Sequence, residues 1–215
     1  MLKGTPIEVG YYRLLDRHLI PALMHFRIRP NHISVFGFFT SLMAGISFAY
    51  YPSVGGLLTL LTGLLDTLDG SLARALGQTK KYGAFLDSVL DRYTELIIYL
   101  GIWCYFYRLG GATPLLSLTV LLILFGSLMV SYTRARAEGL GERCMVGVLQ
   151  RGERIILIGL AGVFNPLVNF SARNSDHWAK DIVLIFVLLV LAVGTNLTAL
   201  WRFWHVLNNL RRQKP

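Results

Sequence analysis

Long apolar runs alternate along this chain with short polar, mostly basic, interruptions. A run of about 20 residues is long enough to cross the hydrocarbon core of a bilayer as a helix. Six stretches meet that length, at 33–51, 54–73, 84–107, 113–135, 152–170 and 181–205. Turn-forming residues separate them. Tyr51-Pro52-Ser53, Gly110-Gly111 and Asn174-Ser175-Asp176 fall on one side, and Gly77-Gln78 and Gly139-Leu140-Gly141 on the other. Ahead of the first run, residues 9–27 mix apolar and basic positions at helical spacing. That pattern predicts a helix lying in the plane of a leaflet, kinked at Pro21, with a loosely packed N-terminal arm as the alternative. The expected architecture is an all-α integral membrane bundle of six transmembrane helices preceded by an amphipathic interfacial helix. It forms one domain over 1–215, with the interfacial segment in 1–30 and the bundle in 31–210.

Composition agrees with the pattern. The 215 residues are 54% hydrophobic and 15% charged, with a mean hydropathy of +0.53, too apolar for an ordinary soluble domain. Net charge is +9, yet the basic residues lie between apolar runs and form no single stripe. Lipid headgroups or a phosphorylated substrate are therefore the expected partners, and nucleic acid is not. Cys104 and Cys144 have no partner spacing and predict neither a disulfide nor a zinc site. The N-terminal residues carry charges where a signal peptide would have its apolar run, so no cleavage is expected.

Charge also orients the six runs. An even number of spans puts both termini on one side, and sixteen of the 21 Lys and Arg residues fall there, against Arg108, Arg173 and Lys180 opposite. The excess of basic residues marks the cytoplasmic face of a cell membrane.

Four acids stand where a membrane span should avoid them. Asp66 and Asp69 are three apart near the end of the second run, and Asp87 and Asp91 are four apart near the start of the third, so each pair shares a helical face. A lone Asp at a span centre costs roughly 2.5–3.5 kcal/mol on insertion scales, so something must compensate the set. If the two helices are antiparallel neighbours, the pairs converge on one pocket near the cytoplasmic face. Four carboxylates suit hard cations such as Mg²⁺ or Mn²⁺ and have oxygens enough for two ions, the arrangement used in phosphoryl chemistry. Separate ion pairs with Arg74, Arg92 and the basic loops are the purely structural alternative. Gly70 and Gly83 beside the acids would let a diphosphate approach the backbone.

The stretch Asp66-Thr-Leu-Asp69-Gly70-Ser-Leu-Ala73-Arg74, followed after eight residues by Gly83-Ala-Phe-Leu-Asp87-Ser-Val-Leu-Asp91, resembles the signature of the CDP-alcohol phosphotransferases, DxxDGxxAR and GxxxDxxxD. All eight fixed residues across 26 positions are present. The resemblance implies that Asp66, Asp69 and Asp87 hold a pair of metal ions engaging the diphosphate of a CDP-lipid, CDP-diacylglycerol or CDP-archaeol. It implies that Asp91 is the general base, and Asp91 is also a candidate metal contact. Gly70, Ala73, Arg74 and Gly83 would line the CDP site, Arg74 as a phosphate fork. Arg29-Pro30-Asn31-His32-Ile33-Ser34 resembles the family's PNxxT element with Ser for Thr, and places Asn31 and Ser34 near the nucleotide, although Ser34 is equally placed to cap a helix. A homodimer is also implied.

Ser131-Tyr-Thr-Arg134-Ala-Arg136-Ala-Glu138 and Gln150-Arg151-Gly-Glu153-Arg154 resemble segments of phosphatidylinositol phosphate synthases and their archaeal counterparts. By that resemblance Arg134, Arg151, Arg154 and Arg202 bind the phosphate of the acceptor. The chain departs from the pattern with Arg at 134 for Lys, Gly152 for Pro and Gln150 for Glu. Arg202, in an apolar stretch, is equally placed to snorkel to the interface. Inositol phosphate leads as acceptor, ahead of glycerol phosphate and serine. A transporter would also use intramembrane carboxylates, but near the midplane and on broken helices. A prenyltransferase would show two separated DDxxD-like clusters. If the charge asymmetry sets orientation, reporters fused to either terminus will both read out on the cytoplasmic side, and a terminus reached by external protease would contradict it.

Overall fold

The computed structural model describes residues 6–77, 81–171 and 180–212, and among these every regular element is helical. The order is α1 (Pro6–Leu14), a π-helical turn (Leu15–Leu19), α2 (Ile20–His25), α3 (Pro30–Phe48), α4 (Pro52–Ala75), α5 (Lys81–Arg108), α6 (Pro114–Gly139), α7 (Arg151–Ser171) and α8 (Ile182–Arg212). Proline opens α3, α4 and α6, where its missing N–H costs nothing and its fixed φ suits the first helical turn. Each apolar run becomes a helix. The largest change in bounds is at α8, which continues past the expected 205 to Arg212 because nothing after Trp204 breaks it. Gln78 and Asn174-Ser175-Asp176, expected in turns, and Lys80 and Arg173, counted in the charge asymmetry, lie outside the described residues.

The N-terminal segment is helical, and a π-helical turn stands just before Pro21. Proline there would drive its ring into the carbonyl of residue 17 in a regular helix. The chain widens instead, with the Ile20 N–H donating to Leu15 O, five residues back. Leu15 and Ile20 anchor this arm to Ile33 of α3 and to Leu68 and Leu72 of α4.

Helices α3–α8 run alternately up and down. At one end the start of α3 meets the end of α4 (Ser34–Asp69), and the start of α7 meets α4 and α5 (Arg151–Asp66 and Arg151–Asp91). At the other end Arg108 of α5 reaches Ala49 after α3, and Tyr105 reaches Asp181 before α8. The main core runs between them, through Phe48, Ile98, Ile102, Ile123, Ile158, Leu184, Leu188 and Leu191. Outward-facing Leu118, Leu121, Phe125, Leu128, Val193, Leu197 and Leu200 leave an apolar exterior that suits lipid rather than water. Three helices, α6, α7 and α8, are long and apolar enough to cross a membrane by length and composition. α4 and α5 are longer than α7, at 24 and 28 residues, but carry acids that dilute their apolar character.

The packing corrects one expectation. α4 and α5 follow each other in sequence but meet only over a short stretch; α3 packs along both, and α7 packs along α4. The second and third runs therefore splay, and the space between their acid-bearing ends is walled by α3 and α7. Small residues set these close approaches, as is usual where helices pack without a hydrophobic driving force. A Cβ on Gly56 would stand 2.5 Å from Gly159 O across the α4–α7 contact, and one on Gly101 would stand 2.0 Å from Gly45 O across α3–α5. Backbone cannot yield at either point. Gly101→Ala should therefore lower stability by about 1–3 kcal/mol, read as a reduced thermal midpoint in detergent, and an unchanged midpoint would show that α3 and α5 pack elsewhere.

Candidate active site

Periodicity creates the site. Asp66 and Asp69 face one way near the end of α4, and Asp87 and Asp91 one way near the start of α5. The splay of the two helices leaves a cleft between them, lined by Ile33, Ser34 and Gly37 of α3, Thr62, Asp66 and Asp69 of α4, Asp87, Asp91 and Thr94 of α5, and Arg151 of α7, among others. The cleft is open to solvent, and about 280 Å³ of space lies within it together with its mouth.

Asp66, Asp69 and Asp87 each present an oxygen, all within 4.8 Å of one another. Asp69 is 7% exposed and is fixed by the Ser34 hydroxyl, which donates to its Oδ2 at 2.6 Å. Asp91 sits one turn deeper on α5. Arg151 spans the cleft: Nη1 lies 2.6 Å from Asp66 Oδ2 and Nη2 2.8 Å from Asp91 Oδ1. Its buried Nε has no hydrogen-bond partner. Arg92 stands off at 3.6 Å from Asp91 Oδ2. Four carboxylates thus face one close guanidinium, a strong excess of negative charge at short range. An all-oxygen donor set of this kind fits a hard divalent cation.

The expected nucleotide residues lie at the rim. Asn31 and Gly83 come together, a Cβ on Gly83 falling 3.7 Å from Asn31 Oδ1. Gly70 and Ala73 follow Asp69 on α4, and a Cβ on Gly70 would meet nothing closer than Arg74 Nη1 at 3.5 Å. Arg74 is exposed; Nη2 donates to Ser71 Oγ at 3.0 Å, and its guanidinium lies 5.9 Å from the centre of the Tyr12 ring, on the N-terminal arm.

Of the four arginines expected at an acceptor phosphate, Arg134 and Arg154 lie near enough to Arg202 for their charges to act on it. Arg151 reaches the cleft. Arg154, a turn further along α7, is buried against Glu95 and donates from Nη1 to Leu149 O at 3.0 Å. Arg202 neither snorkels nor opens to the cleft: Nε donates to Val146 O and Nη1 to Val130 O, both at 2.7 Å, so backbone carbonyls compensate its burial. Arg134 is exposed and pairs with Glu138 on its own helix at 2.8 Å. Arg154 and Arg202 thus each donate to main-chain carbonyls, and Arg154 also to a buried acid.

Two groups escaped the sequence reading. Glu95 continues the Asp87–Asp91 face by one more turn, a spacing that would have flagged it. Asp181, at the far end, accepts from Tyr105 Oη, Asn165 Nδ2 and Asn169 Nδ2 at 3.0, 2.6 and 2.9 Å, and no spacing announces that cluster.

An acidic, cation-ready cleft at one end of an apolar helical bundle defines a membrane enzyme that handles phosphate esters with a divalent metal. Residues 27–191 match the CDP-alcohol phosphatidyltransferase family, and the chain belongs to it. It is accordingly a CDP-alcohol phosphotransferase of phospholipid synthesis, similar to phosphatidylinositol phosphate synthases. It is 36% identical over 192 residues to the archaetidylinositol phosphate synthase of Methanothermobacter thermautotrophicus, covering 89% of this chain and 91% of that one. To the phosphatidylinositol phosphate synthase of Mycobacteroides abscessus it is 31% identical over 180 residues, covering 81% and 79%. Its fold matches the phosphatidylinositol phosphate synthase of Mycobacterium tuberculosis with CDP-DAG bound, at a TM-score of 0.71 and 24% identity over 87% of this chain and 91% of that one. That protein in complex with manganese and citrate matches at a TM-score of 0.69 and 23% identity, over 88% and 87%.

Because Ser34 orients a carboxylate of the cluster, Ser34→Ala should weaken Mn²⁺ binding roughly 10–100-fold, as loss of a supporting hydrogen bond to a metal ligand does. Ser34→Thr should preserve it. Mn²⁺ titration followed by electron paramagnetic resonance would test this, and equal affinity in the alanine variant would remove Ser34 from the site.

Proposed function

We propose that this enzyme transfers a phosphatidyl or archaetidyl group from a CDP-lipid to the hydroxyl of inositol phosphate, releasing CMP. The observation that carries the proposal is the meeting of Asp66, Asp69 and Asp87 within 4.8 Å, with Asp91 beside them and Arg151 held between Asp66 and Asp91. The relatives named as archaetidylinositol and phosphatidylinositol phosphate synthases support inositol phosphate as the acceptor.

Asp66, Asp69 and Asp87 hold two divalent ions, Mg²⁺ or Mn²⁺, with Asp91 close enough to contribute. When bound, these cations supply charge stabilisation for a diphosphate and for departing CMP. Ser34 keeps the Asp69 carboxylate turned into the cleft. Gly70, Ala73 and Gly83 leave room for the nucleotide, and Arg74 and Asn31 offer donors at its edge. Asp91 takes the proton of the acceptor hydroxyl as that oxygen attacks the lipid-linked phosphorus, because an alcohol is otherwise a weak nucleophile. Arg151, whose buried Nε has no hydrogen-bond partner in the cleft, offers a two-pronged contact for the acceptor's phosphate.

The site belongs at a membrane edge for a physical reason: the donor's acyl chains stay in the bilayer while the polar acceptor arrives from water. In this reading α3–α8 all span, the chain is one membrane domain, both termini and the cleft face the cytoplasm, and the N-terminal arm lies on the leaflet. The enzyme works as a homodimer.

The experiment supplies purified protein and Mg²⁺ with CDP-diacylglycerol or CDP-archaeol, and inositol phosphate, glycerol phosphate, inositol or serine in separate reactions. CMP release is expected with inositol phosphate, and release with glycerol phosphate or serine alone would overturn the acceptor. Asp91→Asn should lower turnover by at least about 100-fold while CDP-lipid binding persists; retained turnover would remove Asp91 as the base.

A further inference from the structure

An aromatic ring from the N-terminal arm stands beside the acidic signature. Tyr12 belongs to α1, and the centre of its ring is 5.9 Å from the guanidinium carbon of Arg74, in the last turn of α4. A cation over an aromatic face within about 6 Å is attracted by the ring's charge distribution. Tyr12 lies outside the DxxDGxxAR pattern, which ends at Arg74, and the proposed chemistry has so far given it no task.

Arg74 is exposed, and an arginine at the surface of a helix's last turn samples many rotamers unless something holds it. Here the side chain folds back along its own helix. Nη2 donates to Ser71 Oγ at 3.0 Å, and Nη1 lies 3.5 Å from where a Cβ on Gly70 would stand. The guanidinium therefore rests over Gly70, next in sequence to Asp69 of the carboxylate cluster. Contacts from two elements hold it there: Ser71 of its own helix and Tyr12 of the arm.

The geometry of the arm decides where Tyr12 stands. Leu15 and Ile20 are 2% and 4% exposed, and both join Ile33, Leu68 and Leu72 in one apolar cluster. In a regular helix of about 3.6 residues per turn, residues five apart point to different sides. The π-helical turn Leu15–Leu19 removes that conflict, with the Ile20 N–H donating to Leu15 O. A single widened turn of this kind often marks a functional site. Tyr12 precedes Leu15 by three residues and so shares its face. Leu68 and Leu72, which receive Leu15, alternate along α4 with Asp66, Asp69 and Arg74. The contact that docks the arm thus also brings Tyr12 to Arg74.

We infer that Tyr12 is a positioning residue for the CDP-lipid: its ring face holds the Arg74 guanidinium over Gly70, at the edge of the carboxylate cluster. This rests on the reading given above, in which Arg74 offers donors to the nucleotide end of that substrate. Tyr12 touches no reacting group and acts only through Arg74.

The test uses the whole chain with Tyr12→Leu, Tyr12→Phe, Arg74→Ala, and the pair Tyr12→Leu with Arg74→Ala. Initial rates are measured with CDP-diacylglycerol and inositol phosphate varied in turn, alongside Mn²⁺ affinity and thermal midpoint. Tyr12→Leu should raise the KM for CDP-diacylglycerol about two- to fivefold, the size of a lost cation–π contact at an exposed site. The KM for inositol phosphate, the Mn²⁺ affinity and the midpoint should stay at the parent's values. Tyr12→Phe, which keeps the ring face, should recover the parent's KM for the CDP-lipid. Once Arg74→Ala is present, Tyr12→Leu should add no further loss, because the ring has no guanidinium left to hold.

An unchanged KM for CDP-diacylglycerol in Tyr12→Leu would overturn the inference, as would a further loss when it is added to Arg74→Ala. So would a Tyr12→Phe variant as impaired as Tyr12→Leu, since the ring face would then not be the holding group. Equal losses toward both substrates, or a loss that comes with a lowered midpoint, would make Tyr12 a prop for the arm and overturn it too. Arg74→Ala alone separates the underlying reading. If it leaves the KM for CDP-diacylglycerol unchanged, Arg74 is no donor contact and the reading fails; if it raises that KM while Tyr12→Leu does not, only the inference fails.

Discussion

Four carboxylates meeting in one small cleft of an apolar bundle are the constraint around which this molecule is arranged. Like charges at that range repel strongly in low dielectric, and their surroundings must supply positive charge, hydrogen-bond donors or both. Arg151 supplies charge from α7, reaching Asp66 on α4 and Asp91 on α5, and Ser34 supplies a donor from α3 to Asp69. Four helices are thus committed to the cluster, and the remaining excess of negative charge is what makes the place a cation site rather than a set of closed ion pairs.

The rest of the bundle keeps those helix ends in place. Direct backbone approach at Gly56 and Gly101 lets α4 close on α7 and α5 close on α3, so that α3 and α7 wall the gap between α4 and α5. At the opposite end, Asp181 gathers Tyr105, Asn165 and Asn169 and so ties α5, α7 and the start of α8. Hydroxyls along the helices, such as those of Thr40, Thr59, Thr62 and Thr119, donate to carbonyls four residues back and so are satisfied within their own helix. The clustered carboxylates thus occupy one end of the bundle and the Asp181 network the other.

Much of this was written locally. Six apolar runs and a helical N-terminal segment follow from residue order, because helical period and length depend on neighbours a few positions apart. The spacing of Asp66 with Asp69 and of Asp87 with Asp91 likewise placed each pair on a shared face, and the family resemblance named the chemistry. The acceptor arginines were less legible. Arg151 and Arg154 look alike as residues three apart, yet one opens to the cleft and the other is sealed against Glu95. Arg202 finds two backbone carbonyls from distant segments, partners no local pattern displays.

By itself, then, the sequence determined the helices, their amphipathic faces, the charge asymmetry and the acidic signature, all of which are set by interactions between residues within a turn or two of each other. The tertiary structure alone decided that α4 and α5 splay with α3 and α7 between them, that Ser34 serves Asp69, and that Arg151 rather than Arg154 enters the cleft. Those outcomes depend on how closely helices approach and on which donor reaches which acceptor across tens of residues, and both quantities exist only once the helices have packed.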